Sequence, residues 1–129
     1  MLKEFLRILN KDGFFVVTCP NLIPIARLIV EDKLTESAYT SPAGPIAPLD
    51  MLYGLGAALA QGNEFMAHKC GFTPKSLNAA LLGAGFKNVV RMPIESYYEV
   101  WAVATKETTE KDKLEKLAKQ HFPSVPTSR

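Results

Sequence analysis

The stretch GFFVVTCPN, residues 13–21, decides the fold of this chain. Five consecutive residues in it, Phe14 to Thr18, are aromatic or β-branched, and these types favour a strand. They do not alternate with polar residues, so we expect both faces of the strand to be covered, as in a parallel sheet between helices. Ligands bind at the carboxyl ends of strands in open α/β sheets. Pro20 and Asn21 therefore mark the expected functional edge.

Helical patterns flank this strand on both sides. Apolar residues at positions 2, 5, 6 and 9 predict an amphipathic helix from Leu2 to Leu9, which a turn at Gly13 follows. Asn21 is predicted to cap a second helix that carries Pro24 in its first turn. A third helix is predicted to begin at Thr73 and to close at Gly85.

The last third of the chain predicts a hairpin and a final helix. Residues 88–93 and 98–104 are rich in Val, Tyr and Trp, with a short polar turn at Glu95 and Ser96, so the two strands should be antiparallel. Tyr97, Tyr98 and Trp101 are expected to fill the core. Apolar residues at 114, 117, 118 and 122 predict an amphipathic helix that Pro123 ends, and the residues after it are expected to fray.

A long insert, residues 34–72, separates the second helix from the third. Its first part, residues 35–49, contains three prolines, which favour extended geometry, and predicts an ordered loop. Asp50 is a candidate cap for a helical segment from Met51 to Leu59 that two glycines weaken. Loops of this length in compact domains are often lids or binding loops.

Composition restricts the class of protein. A chain of 129 residues with 47% hydrophobic residues fits one folded domain. A net charge of +2 without a basic cluster predicts neither a nucleic-acid nor a membrane partner. Cys19 and Cys70 lack the spacing of a metal site, so we expect reduced thiols and no metal. No signal peptide and no apolar run long enough for a membrane helix is evident, so a cytoplasmic protein is expected.

Three motifs give the chain a resemblance to a known family. Residues 7–13, RILNKDG, and the later pattern of Phe72-Thr73, Leu77, Leu81 and Ala84-Gly85-Phe86 resemble the C-terminal half of Rossmann-like S-adenosylmethionine-dependent methyltransferases. The stretch SPAGPIAPLDMLYG, followed by GNEFMAHKCGFT, looks more specifically like a bacterial subgroup of predicted methyltransferases. The resemblance covers about Leu2 to Lys106.

The resemblance implies a truncated Rossmann-like α/β fold. About three strands, one central strand plus a C-terminal antiparallel hairpin, with flanking helices, would come from a sheet that normally has seven. Residues 1–106 would form the half-domain, with 34–72 as insert or lid, and residues 107–129 a C-terminal helix and frayed tail. The uncapped helix at Met1 fits this interpretation.

The cofactor of the family is S-adenosylmethionine, and its glycine-rich turn belongs to the N-terminal half. That turn does not occur in these residues, and Gly54-Leu55-Gly56 does not follow a strand. In the parent sheet, the strand at residues 14–19 has a neighbour that this chain lacks. An exposed hydrophobic edge promotes association, so the edge of strand 14–19 predicts a homodimer.

Each candidate site residue has a functional and a structural interpretation. His68 is a candidate general base and substrate-binding residue, or a histidine that holds the insert. Asp50 orients a substrate group or caps a helix. Tyr39 and Tyr53 line an acceptor pocket or pack the insert. Pro20 and Asn21 are candidates for the cofactor, and Asn21 also for the substrate, while Cys19 is a nucleophile or a buried thiol.

Two functions remain open from the sequence. One is a methyltransferase-like protein that transfers a methyl group to an unknown acceptor only when a missing segment or partner supplies the cofactor half. The other is a non-catalytic binding or assembly module built on a remnant of that fold.

Overall fold

The computed structural model describes residues 1–94 and 97–124, which form a mixed α/β fold. The helices are α1 (Leu2–Ile8), α2 (Leu22–Val30), α3 (Pro48–Tyr53), α4 (Gly56–Ala60), α5 (Pro74–Ala84) and α6 (Lys111–His121), with a 3₁₀ turn at Glu64–Met66. The strands are β1 (Phe14–Pro20), β2 (Tyr39–Ser41), β3 (Gly44–Ile46), β4 (Asn88–Ile94) and β5 (Glu99–Thr105). Among these residues, no helix is long and apolar enough to cross a bilayer.

The main sheet has three strands in the order β1-β5-β4, and both pairings are antiparallel. The predicted hairpin of β4 and β5 is confirmed, while its turn at Glu95 and Ser96 lies outside the described residues. The prediction that the first strand is central is wrong. β5 lies in the middle, and it pairs with β1 from Phe14 opposite Thr105 to Pro20 opposite Glu99.

The outer edge of β1 is unpaired in the described part of the chain. The Asn21 N–H donates to the Tyr98 carbonyl at 2.7 Å, and the Gly13 carbonyl accepts from Lys106. Because backbone groups alternate in direction along a strand, the odd-numbered residues of β1 face β5 and the even-numbered ones face outward. The outward donors are therefore those of Phe14, Val16 and Thr18. Pro20, which has no N–H, lies at an outward position too, where no ladder bond is lost.

The core lies between one face of this sheet and helices α1 and α5. Leu77 and Leu81 of α5 are buried against Val100, Ala102 and Ala104 of the middle strand. The rings of Phe5 and Phe15 stack at 4.9 Å, which fixes α1 to β1. Such aromatic contacts add to the free energy gained from apolar burial.

The expected burial of both faces of β1 is wrong. None of its residues is fully buried, and Thr18 is exposed. Helix α6 packs on the opposite face of the sheet, against β4 and β5, through Leu114 and Ala118. The strand therefore has a half-open face as well as an open edge.

Local signals for helix ends are confirmed. The Asn21 side chain accepts a hydrogen bond from the Ile23 N–H at 3.2 Å and so caps α2. The Thr73 hydroxyl does the same for the Ser76 N–H at the start of α5, and Gly85 closes that helix with φ +112°. The final helix is also confirmed, whereas the predicted frayed end, residues 125–129, lies outside the described residues.

The insert contains more regular structure than predicted. Residues 39–46 form the hairpin β2–β3, which turns at Pro42 and Ala43, directly before Gly44 (φ +108°). The predicted helix from Met51 to Leu59 is two short helices, because Gly54 adopts φ +104° and ψ +161° between them. Ile25, Ile46 and Met51 form a second apolar cluster that joins the insert to α2.

Candidate functional site

A small cavity opens at the carboxyl end of β1, where the sequence predicts the functional edge. Its volume is about 170 Å³. β1 contributes Thr18, Cys19 and Pro20, and the insert contributes Tyr39 and Met51. Glu99 at the start of β5 and the two residues before it, Tyr97 and Tyr98, complete the lining. Because β5 runs antiparallel to β1, the beginning of one strand meets the end of the other here.

Three tyrosines, Tyr39, Tyr97 and Tyr98, line the cavity. The rings of Tyr39 and Tyr98 stack with 6.0 Å between centroids and 16° between planes. Tyr98 has φ +55°, a left-handed conformation that is costly for a bulky residue and persists only where its surroundings enforce it. Packing on Tyr39 and on the insert cluster provides that enforcement.

The charged group in the cavity lining is the Glu99 carboxylate. Its Oε2 accepts a hydrogen bond from Trp101 Nε1 at 2.9 Å, which fixes the side chain in position. The pKa of Tyr39 is raised, mainly by burial and further by the negative charges of Glu99 and Asp50. The cavity is therefore an electronegative environment with aromatic walls.

Cys19 is a poor nucleophile in this environment. Burial, followed by the charges of Cys70 and Glu99, raises the pKa of the Cys19 thiol to about 11. A thiol reacts through its thiolate, so little of the reactive form exists near neutral pH. Of the two interpretations of Cys19, this environment favours the inert thiol.

We expect iodoacetamide to label the exposed Cys70 at least about tenfold faster than Cys19 near neutral pH, because little Cys19 thiolate is present. Peptide mass spectrometry over time measures both rates.

The folded state also keeps the Cys19 proton from about pH 9 to about 11, whereas the unfolded state loses it. Stability should fall over that window, and less so in Cys19→Ala. Equal iodoacetamide labelling rates at Cys19 and Cys70 would contradict the raised pKa of the Cys19 thiol.

The two candidates at the end of β1 have different positions. Pro20 lines the cavity. Asn21 is 3% exposed, and its side-chain oxygen is occupied by the cap of α2. Its backbone N–H donates to the Tyr98 carbonyl, directly before β5, and Asn21 forms an isolated parallel bridge with Phe72. Asn21 thus holds the strand end in place and does not line the cavity.

Asp50 is used by the backbone of the insert. One carboxylate oxygen accepts from the Ala47 N–H at 3.0 Å and the other from the Gly56 N–H at 2.9 Å. It thereby ties the start of α3 to the start of α4, although it lies inside α3 and not at the predicted cap position. Its negative charge still reaches Tyr39.

His68 is anchored to α3 by two contacts. Its backbone N–H donates to the Tyr53 carbonyl at 3.1 Å, and its Nδ1 lies 2.9 Å from the Met51 carbonyl oxygen. Since that oxygen only accepts, Nδ1 donates this hydrogen bond, and in a neutral imidazole Nε2 is then the basic nitrogen. His68 is exposed and does not line the cavity, and Tyr53 is 63% exposed on α3.

Sequence reasoning missed Tyr97, Tyr98 and Glu99 as site residues. The expectation that the hairpin aromatics fill the core is wrong for Tyr97, which is 45% exposed, and Tyr98 and Trp101 are only half-buried. The available signal was an acidic residue directly after two tyrosines at the start of a strand. An antiparallel strand beside β1 necessarily begins at the carboxyl end of β1.

Metal-ligand clusters and glycine-rich turns are two other kinds of functional site. The described residues contain no group of His, Cys, Asp or Glu that could hold a metal ion. Gly54-Leu55-Gly56 follows a helix, and the Gly56 N–H is already bonded to Asp50. Comparisons of the chain with family models, curated proteins and solved structures found no match.

Proposed function

We propose that this chain supplies the substrate-side half of an S-adenosylmethionine-dependent methyltransferase-like domain. It transfers a methyl group to an acceptor only when another segment or chain supplies the cofactor half. The observation that supports this most directly is the outer edge of β1, where three N–H groups have no partner among the described residues, beside an intact helix-strand-hairpin unit. The family resemblance places a further strand at that edge.

The residues of this chain do not fit the whole cofactor. A cavity of about 170 Å³ is smaller than the usual range for ligand pockets and cannot enclose a nucleoside. Asn21 is engaged in its cap, and the glycine pair at Gly54 and Gly56 is held by Asp50. The cofactor site therefore belongs to the other half of the domain.

The part played by these residues is to position the acceptor. Methyl transfer requires alignment of the nucleophile, and a base when that nucleophile is protonated. The cavity at the carboxyl end of β1 provides the position, with Glu99 as its charged group. His68 has a free Nε2 and a fixed ring, and closure of the insert would be needed to bring it to the cavity.

A non-catalytic binding or assembly module is the second candidate. Two observations favour it. The residues of this chain do not fit the cofactor, and the chain nevertheless has a cavity and an open strand edge. In this alternative the cavity binds a small molecule and the edge binds another chain, and no methyl group is transferred.

Calorimetric titration of the purified chain with S-adenosylmethionine and S-adenosylhomocysteine distinguishes the two. If two chains complete the domain, we expect micromolar binding at a stoichiometry set by the assembly. Absence of heat at millimolar cofactor would exclude a self-completed methyltransferase and favour the binding module. An acceptor screen with methyl-labelled cofactor would follow a positive result.

The open edge of β1 makes a homodimer the expected state of the free chain at micromolar concentration. Val16→Pro should give a monomer, because the Val16 N–H points away from β5. Proline at this position therefore blocks an incoming strand without removing a hydrogen bond to β5. Val17→Pro is the matched control: its N–H faces β5, so it should lower stability. Light scattering and thermal unfolding measure both effects. A monomeric wild type would refute the dimer.

A further inference from the structure

The cavity at the carboxyl end of β1 combines aromatic surface, a carboxylate and small volume. Tyr39 and Tyr98 provide the rings, and Glu99 provides the charge. None of the described residues that line it is basic. Cations bind favourably over aromatic faces, and a nearby carboxylate adds a direct Coulombic attraction.

We propose that this cavity binds a small alkylammonium group, which lies against the rings of Tyr39 and Tyr98 with Glu99 as its counter-ion. A volume of about 170 Å³ suits a headgroup of this kind with the rest of the molecule extending outward. The thioether of Met51 adds polarizable surface to the wall. The binding stands on the cavity alone. Methyl transfer to the bound group rests on the proposed function and requires that its nitrogen first lose a proton, so that the N–CH3 bond forms as the S–CH3 bond of the cofactor breaks.

The charges around the cavity favour a cation. Glu99 lines it, and Asp50 is near enough to act on the Tyr39 hydroxyl. The ammonium of Lys33 interacts electrostatically with Tyr98, but it is bound to the Glu31 carboxylate at 2.7 Å and does not line the cavity. An anionic ligand would meet Glu99 without a compensating positive charge in the lining.

The structure also provides a reporter for occupancy. Trp101 is the single tryptophan of the chain, and its Nε1 donates to Glu99 Oε2. A cation that engages Glu99 changes the environment of this indole. Tryptophan fluorescence therefore measures binding without a label.

The test compares choline with 3,3-dimethylbutan-1-ol, which has the same shape with carbon in place of the charged nitrogen. The purified chain is titrated with each at constant ionic strength, without any cofactor. We expect a saturable fluorescence change with choline, at least about tenfold tighter than with the neutral alcohol. Equal affinities, or no saturable change with choline, would overturn the proposal.

Matched variants locate the binding. Glu99→Gln keeps an acceptor for Trp101 but loses the charge, so choline should bind about tenfold more weakly, whereas Glu115→Gln on α6 should change nothing. Tyr39→Leu should weaken binding about threefold to thirtyfold, and Tyr39→Phe, which keeps the ring, should retain it. Undiminished binding in Glu99→Gln would also overturn the proposal.

The outcomes separate this inference from the proposed function. Choline binding without any response to S-adenosylmethionine leaves the cation site intact and removes the self-completed methyltransferase. Binding of S-adenosylmethionine without a difference in affinity between choline and 3,3-dimethylbutan-1-ol supports the methyltransferase-like domain and overturns the cation site. If a variant fails to fold, as judged by circular dichroism, the comparison of the two ligands on the wild type still decides.

Discussion

Gly54→Ala should disrupt the insert and lower the free energy of unfolding by about 3–5 kcal/mol. Gly54 has φ +104° and ψ +161°, a region that only glycine occupies without large strain. An added Cβ would also overlap the carbonyl oxygen of Met66 and lie 2.9 Å from its carbonyl carbon. Both contacts are to backbone, so no side-chain rotation relieves them. Urea unfolding and hydrogen exchange over residues 47–68 measure the effect.

Gly62→Ala is the matched control for this substitution. Gly62 also has a positive φ, +83°, but an added Cβ there meets nothing within 4 Å. It should therefore cost only the backbone strain, about 1–2 kcal/mol. Equal losses in the two variants would show that strain alone acts at Gly54 and that the close approach of the Met66 backbone is unimportant.

Asp50→Ala should destabilise the chain by about 2–4 kcal/mol. It removes the acceptors of the Ala47 and Gly56 N–H groups, which start the two short helices of the insert. Helices this short depend on such contacts, because they make few internal hydrogen bonds. Chemical denaturation gives the change in free energy of unfolding.

Asp50→Asn separates the capping role from a substrate role. An asparagine keeps one oxygen acceptor, so it should recover about half of the loss. The choline titration on both variants provides the second readout. If Asp50→Ala retains wild-type stability but loses ligand binding, Asp50 orients the ligand and the helix contacts are incidental.

The predictable part of the fold was encoded locally. Asn21, Thr73 and Gly85 cap helices through contacts within a few residues of themselves, so their types alone indicate helix ends. The short polar turn between two Val-rich and Tyr-rich segments indicated the antiparallel hairpin. These features need no knowledge of the rest of the molecule.

The position of β1 at the edge of the sheet was not encoded locally. Its run of apolar residues is typical of a strand covered on both faces, and the structure leaves it half-open. The break at Gly54 was also missed, because it depends on the approach of Met66, a contact between distant residues. The Val16→Pro and Val17→Pro variants test whether the half-open strand reflects a missing neighbouring strand.

The candidate site was predictable only in part, for a related reason. Pro20 and Tyr39 were found because one ends a strand and the other belongs to an insert expected to bind. Glu99 was missed because its importance depends on β5 lying beside β1, which the hairpin pattern does not specify. A site formed by two strand ends can be predicted only after the order of the strands in the sheet is known.

The pairing of Phe14 with Thr105 has a consequence for synthesis of the chain. During translation, β1 leaves the ribosome long before β5 exists, so the sheet cannot form until the residues through Thr105 have emerged. Contacts between residues so distant in sequence slow folding, and unpaired apolar strands promote aggregation meanwhile. Helix α1, which is complete earlier and stacks Phe5 on Phe15, can shield one face of the waiting strand. Co-translational folding of this protein should therefore depend on chaperones that bind nascent apolar segments.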